Sequence, residues 1–211
     1  MIYVPTILEK ASRSNSPQII KTANYVNFNA YNSNYKANVY YDQNTNAEHI
    51  AIMKGNLFNK ENVLVRVHSK CQTSETFECI KCECRQQLRQ AFELIDQNEG
   101  AIIYLDQEGR GIGLGAKLRA YQLQEQGFDS ADANLAIGAE IDTRNYQVAA
   151  QIIEDLRFKS IKLLTNNPDK VNQLIDHGIN VTQRVPHRIE NFDTYYQMKV
   201  QKLGHVVNFE S

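Results

Sequence analysis

All four cysteines of the chain fall within residues 71–84, in the run Cys71-Gln72-Thr73-Ser74-Glu75-Thr76-Phe77-Glu78-Cys79-Ile80-Lys81-Cys82-Glu83-Cys84. Whatever fold forms must gather these thiols at one place, because thiols packed this tightly read as a metal site before they read as disulfides. Reduced thiols are the expected state. Residues 1–10 carry Pro5, Glu9 and Lys10 and lack an apolar stretch after a basic run, so no secretion leader is expected.

The flanks of the run say where in a fold it lies. Val63-Leu64-Val65-Arg66-Val67-His68 reads as a strand that ends at the cysteines, so Arg66, His68 and Ser69 are delivered to whatever Cys71 binds. After Cys84 the period changes: Leu88, Ala91, Phe92 and Ile95 recur at helical spacing, and Asn98-Glu99-Gly100 closes that helix. Upstream, residues 37–41 and 49–53 alternate as antiparallel strands.

Downstream, 101–105 is a short buried strand, 106–110 a polar turn, and Leu114, Leu118 and Tyr121 mark a helix that stops near Gly127. Ala149, Ile152, Ile153 and Leu156 share a face of a third helix. The strand 160–164 meets Thr165-Asn166-Asn167-Pro168, a helix-opening turn with proline at the first helical position. A short helix through Ile175 and a strand at 179–181 follow. This order predicts an α/β fold with α+β character: a single domain over 21–211, β-rich at its N-terminal side and alternating strand and helix towards its C-terminus. A segment without sustained period, 1–20, precedes it.

Charge narrows the partners. Lys and Arg number 23 against 24 Asp and Glu over 211 residues, a net charge of −1, which offers no global field for nucleic acid. Any phosphate must be met by a local cluster, so a small molecule is the expected partner. No run approaches the roughly 18 apolar residues of a membrane span, and we expect a soluble, cytoplasmic protein that uses neither nucleic acid nor membrane.

The number of thiols that bind metal decides what the site does. Zinc held by four thiolates is closed and structural, whereas three protein ligands leave a position for water. Cys82 and Cys84, two apart, fit a turn before the helix, with Cys71 reaching them from the strand end; Cys79 is the ambiguous member. From the thiols alone, a closed four-cysteine knot has at least even standing. Asp142 and Arg144, also two apart, share a side of an extended segment, though such a pair is more often a solvated surface pair. Gly111-Ile112-Gly113-Leu114-Gly115-Ala116 satisfies the dinucleotide pattern G-x-G-x-x-A. It does not follow its strand directly, and no acid ends a second strand about twenty residues later. His68 lies beside better-spaced thiols and is expected to hydrogen-bond or pack. His49, His177, His187 and His205 are scattered and receive no role.

Taken in order, Arg66-Val67-His68-Ser69-Lys70-Cys71, Cys82-Glu83-Cys84, Gln107-Glu108-Gly109-Arg110-Gly111-Ile112-Gly113-Leu114, Lys117-Leu118-Arg119-Ala120-Tyr121, Asp142-Thr143-Arg144-Asn145-Tyr146 and Leu164-Thr165-Asn166-Asn167-Pro168 resemble the blocks of GTP cyclohydrolase II, covering about residues 62–186. The resemblance implies a catalytic zinc on Cys71, Cys82 and Cys84. It implies opening of the guanine imidazole ring at C8 with loss of formate, release of pyrophosphate, and a pyrimidine product at the start of riboflavin biosynthesis. It further implies Tyr121 as an orienting hydroxyl, Asp142 as proton acceptor, and Arg144 acting at the α-phosphate as nucleophile. On charge grounds Arg144 reads instead as an electrostatic clamp, because a guanidinium stays protonated. For GTP the matching positions are Arg66, Val67, His68, Ser69, Lys70, Gln87, Glu108, Gly109, Arg110, Ser130, Thr165 and Lys170. Magnesium is implied on the phosphates without a named protein ligand, and a homodimer of the monofunctional form is implied, since the chain has no room for a fused synthase domain.

The chain departs from the family pattern at Lys70, where Glu is usual, at Ser74-Glu75 for Gly-Asp, at Arg85 for Gly, and at Asp106 for Arg. Two of these reverse charge beside the expected metal and phosphate turn. A family paralogue acting on GTP or another purine nucleotide in a specialised pathway therefore stands as an alternative, and the ambiguous Cys79 leaves a second, a non-catalytic nucleotide-binding module with a structural four-cysteine zinc.

Overall fold

The structure, a computed structural model, describes residues 19–140, 142–189 and 199–206. The expected segment 1–20 lies almost wholly outside them. Among the described residues, seven strands form one mixed sheet: β1 (Ile19–Ala30), β2 (Ser33–Asp42), β3 (Ala47–Lys54), β4 (Val63–Ser69), β5 (Gly100–Leu105), β6 (Ile161–Leu164) and β7 (Val181–Val185), in the order β1-β2-β3-β5-β4-β6-β7. The side from β1 through β3 to β5 is antiparallel, and β5, β4, β6 and β7 run parallel. The helices are α1 (Gln72–Glu75), α2 (Cys84–Asn98), α3 (Gly113–Gln124), α4 (Ser130–Ala136), α5 (Gln147–Asp155) and α6 (Pro168–Asp176), with a 3₁₀ turn at Glu108–Gly111 before α3.

Period-two alternation sorts side chains onto two cores. Val65, Val67, Ile103, Leu105 and Leu163 face Ile152 and Ile153 of α5 and Leu174 of α6, while Ile102 and Leu164 face Ala91, Phe92 and Ile95 of α2. The stripe expected on 88–95 is therefore core. Asn167 caps α6 by accepting a hydrogen bond from the Asp169 N–H, with Pro168 following, as the turn sequence predicts.

Three elements were not foreseen, the four-residue α1 within the cysteine run among them. Strand β1 exposes most of its side chains and shifts register twice against β2, so it shows no clean alternation. Helix α4 is only seven residues long, and its one signal is Asp129, which accepts from the N–H groups of Ala131 and Asp132. The face expected on α3 also differs: Ala120 is its buried residue and Leu118 is exposed.

The connection leaving β4 returns on one side of it, as β5, and the later chain crosses to the other side, as β6. That makes the carboxyl end of β4 a switch point, where side chains from both directions converge on an open crevice. Tight packing of β4 on β5 depends on Gly100, which pairs with Leu64; a Cβ there would lie 2.4 Å from the Leu64 carbonyl oxygen. Gly100→Ala is expected to destabilise the fold by roughly 1–3 kcal/mol through forced separation of these strands. Urea unfolding checks this, and an unchanged midpoint would contradict it.

Candidate active site

At the β4 carboxyl end the chain turns into the cysteine run. Cys71 precedes α1, Glu83 stands at the N-cap of α2, and Cys84 opens that helix. The sulfurs of Cys71, Cys82 and Cys84 all lie within 4.8 Å of one another, with Cys71 and Cys82 3.6 Å apart, and Cys79 stands outside this group. Hydrogen bonds from the Cys82 and Cys84 thiols, and then from Lys117, pull the Cys71 thiol far below its ordinary value despite its burial. The contact with Cys71, and then burial, push Cys82 up to about 11, and the contacts with Cys71 and Cys82, with burial, push Cys84 well above its ordinary value. Three sulfurs this close repel one another once more than one is ionised, and a soft divalent cation among them relieves that repulsion. The donor set fits a thiolate-bound metal ion.

Around the sulfurs lies a dense hydrogen-bond frame. Glu75 accepts from the Cys71 N–H at 3.1 Å and meets His68 Nε2 at 2.8 Å, and Tyr104 donates to its other oxygen. His68 thus bonds Glu75 instead of joining the sulfur group. Lys117 Nζ donates to Cys71 Sγ at 3.0 Å, Thr73 Oγ1 at 2.8 Å and Glu108 Oε1 at 2.8 Å. Glu108 also accepts from the N–H groups of Gln72 and Gly109, so both its oxygens are engaged in holding the turn. The Tyr121 hydroxyl lies 3.4 Å from Thr73 Oγ1, and burial raises its pKa to about 12.

The glycine turn needs its glycines for geometry. Gly109 and Arg110 both have left-handed backbones, and at Gly111, with φ of +92°, a Cβ would sit 2.3 Å from Thr143 Oγ1. Arg110 Nη2 donates to Ser130 Oγ at 3.4 Å, and the Arg110 carbonyl accepts from both the N–H and the hydroxyl of Thr143. The turn is thereby bound to the segment bearing Asp142 and Arg144. Arg144 Nε donates to Asp142 Oδ1 at 2.8 Å and Nη2 donates to Oδ2. Burial works to raise Asp142, but the Arg144 hydrogen bonds and charge outweigh it and hold the carboxyl below its ordinary value.

Buried cations form the floor. Arg66 donates to the Leu164 carbonyl at 3.0 Å and to Gln87 Oε1 at 2.9 Å, and burial lowers its pKa to about 10. Lys170 donates to the Val67 carbonyl at 2.7 Å over the Tyr146 ring; burial, then Arg66 and Arg144, push its pKa well below the usual lysine value. Arg66 Nε and Ser69 Oγ are buried with no hydrogen-bond partner among the described residues. Thr165, its hydroxyl accepting from the Asn167 N–H, sits at the start of α6. One cleft, open to solvent, is lined by the three clustered cysteines together with Arg66, Arg110, Tyr121, Arg144 and Lys170.

Of the residues expected at the site, Val67 turns its side chain into the core and offers its carbonyl, and Asp142 reaches the cleft only through Arg144. Lys70 pairs with Asp106 at 3.1 Å, so the two charge-reversing departures neutralise each other, and Arg85 pairs with Glu78 at 2.8 Å. Sequence reading missed Glu75, Glu83 and Lys117, and also Lys199 and His205, which line the cleft. Buried Glu83 holds Gln87 and Lys199. Lys117 had a legible signal, since it lies four residues before Tyr121 on one face of α3 and both reach Thr73.

The model of a family described as GTP cyclohydrolase II matches residues 22–186. The chain is 44% identical over 177 residues to the riboflavin biosynthesis protein RibBA of Endomicrobium trichonymphae, covering 82% of this chain and 44% of that protein. It is 47% identical over 167 residues to the RibBA of Bacillus velezensis, covering 77% of this chain and 42% of that protein. It is 45% identical over 172 residues to the GTP cyclohydrolase-2 of Neisseria gonorrhoeae, covering 80% of this chain and 87% of that protein. The chain thus spans less than half the length of the two RibBA relatives.

Proposed function

Because the chain belongs to the GTP cyclohydrolase II family, we propose that it hydrolyses GTP with zinc held by Cys71, Cys82 and Cys84, opening the guanine imidazole ring and releasing formate and pyrophosphate. The product is 2,5-diamino-6-hydroxy-4-(5-phosphoribosylamino)pyrimidine, the first intermediate of riboflavin biosynthesis. One observation carries the reading: three clustered sulfurs and buried, anion-seeking cations line a single cleft.

When bound, zinc supplies the Lewis acidity for hydrolysis at the purine. The chain's own groups do the rest. Arg66, Lys170 and the α6 start at Thr165 hold the triphosphate, whose charge relieves the repulsion among those cations. The glycine turn and Ser130 position Arg110 beside them, and Gln87 fixes the Arg66 guanidinium. Arg144 acts as a clamp on the α-phosphate; turning towards it frees Asp142, whose proton affinity then rises, so that it can accept a proton. The Tyr121 hydroxyl, placed by Thr73, orients the reacting water. Magnesium accompanies the phosphates. A homodimer and a cytoplasmic location belong to the same proposal. Exposed Leu118 on α3, Leu135 on α4 and Phe128 between them supply apolar surface for a second copy, and among the described residues no helix is long and apolar enough to cross a membrane.

Purified protein given GTP and magnesium is expected to release formate and pyrophosphate with a shift in ultraviolet absorption, and to stop when a chelator removes the zinc. Zinc-loaded protein that yields neither product would overturn the proposal. GDP and ATP in parallel test the paralogue reading, which a faster reaction with either would favour. The mutual neutralisation of Lys70 and Asp106 argues for GTP.

A further inference from the structure

Lys117 lies on α3, outside the thiol run and the phosphate floor, yet all three of its ammonium hydrogens are spoken for, by Cys71, Thr73 and Glu108. Its side chain is 12% exposed. An ordinary surface lysine points its head into water, because burying an ammonium costs free energy unless its partners are charged and well placed. Here one partner is a sulfur of the metal group. Another is a carboxylate whose second oxygen accepts, at 2.6 Å, from the N–H of Gln72, the residue after Cys71. The bonds close a circuit from the Cys71 sulfur through Lys117 and Glu108 back to the backbone beside Cys71.

We propose that Lys117 is a positioning residue that controls how much charge the Cys71 sulfur donates to a bound metal ion. Three thiolates are strong donors and leave a divalent ion a weak Lewis acid. A hydrogen bond from an ammonium withdraws lone-pair density from one sulfur, so the ion keeps more of its acidity, and the circuit through Glu108 ties that sulfur to the glycine turn. Partners of this kind are commonly as consequential as the ligands they orient. The inference rests on the three-cysteine metal reading and goes beyond it, since the ligand set alone does not require a cation at Cys71.

Cobalt(II) replaces zinc in the test because its thiolate-to-metal charge-transfer absorption reports sulfur donation directly. In Lys117→Met the sulfur is a stronger donor, so this absorption is expected to move to longer wavelength. The zinc form is expected to lose about tenfold in kcat, with KM changed less than about twofold. Lys117→Arg should restore most of both, and Lys117→Gln, which keeps an N–H donor without the charge, should fall between; it also serves if Lys117→Met does not fold. A cobalt spectrum unchanged in Lys117→Met or Lys117→Gln overturns the role of Lys117 while leaving the metal reading intact. Failure of the unaltered protein to take up cobalt overturns both.

Discussion

Lys170→Met is expected to make the free protein more stable and to remove its grip on nucleotide. The ammonium is buried, holds one carbonyl, and faces Arg66 and Arg144, charges of its own sign. Methionine fills similar volume without the desolvation and repulsion, so unfolding free energy should rise by about 1–4 kcal/mol. A triphosphate loses a buried counter-charge in the same substitution, which should weaken GTP binding by at least about 100-fold. The pH dependence separates this from simple repacking. A lysine depressed in the folded state and titrating at 10.5 when unfolded is protonated only in the unfolded chain between those values. Stability of the unaltered protein should therefore gain as pH rises through that window, and the full penalty applies below it. Lys170→Met should lack that gain. Thermal unfolding across pH and titration calorimetry with GTP check the two halves; unaltered affinity, or a variant less stable than its parent near neutrality, would count against the account.

That one residue should oppose fold and function also explains what was legible beforehand. The thiol run, the turn before α6 and the two helical stripes are contiguous in the chain, and local spacing encodes them. The partnerships that give the cleft its electrostatics span the sequence: Lys170 meets Val67 across 103 residues and Lys199 meets Glu83 across 116. No local pattern announces such pairs, so Lys170 could be joined to Arg66, which its strand end already brings to the cysteines, only through the family resemblance, and the pair of Glu83 and Lys199 not at all. Lys70 and Asp106 teach the same lesson. Read separately each is a charge reversal beside the site, and only the fold shows them as an ion pair. The missed strand β1 fails for another reason: an edge strand with solvent on most of its side chains has no buried face to impose alternation.

The cysteines themselves permit the sharpest separation of readings. Cys82→Ala removes a sulfur from the group within 4.8 Å and leaves two thiols to hold a divalent ion, so zinc content should fall below one-tenth of stoichiometric and turnover by about 10³-fold or more. Cys79→Ala should keep both, because that thiol stands outside the group and its backbone N–H, bonded to the Thr73 carbonyl, survives substitution by any residue but proline. Elemental analysis after dialysis against a weak chelator measures the metal, and formate release measures the reaction. A closed four-thiolate knot predicts the reverse for Cys79, with metal and fold lost together, since a structural zinc site contributes its binding energy to folding. Loss of metal in both variants would therefore return the chain to the non-catalytic class. Retention in Cys79→Ala alone means that the protein supplies three sulfurs and leaves the fourth position to the reaction.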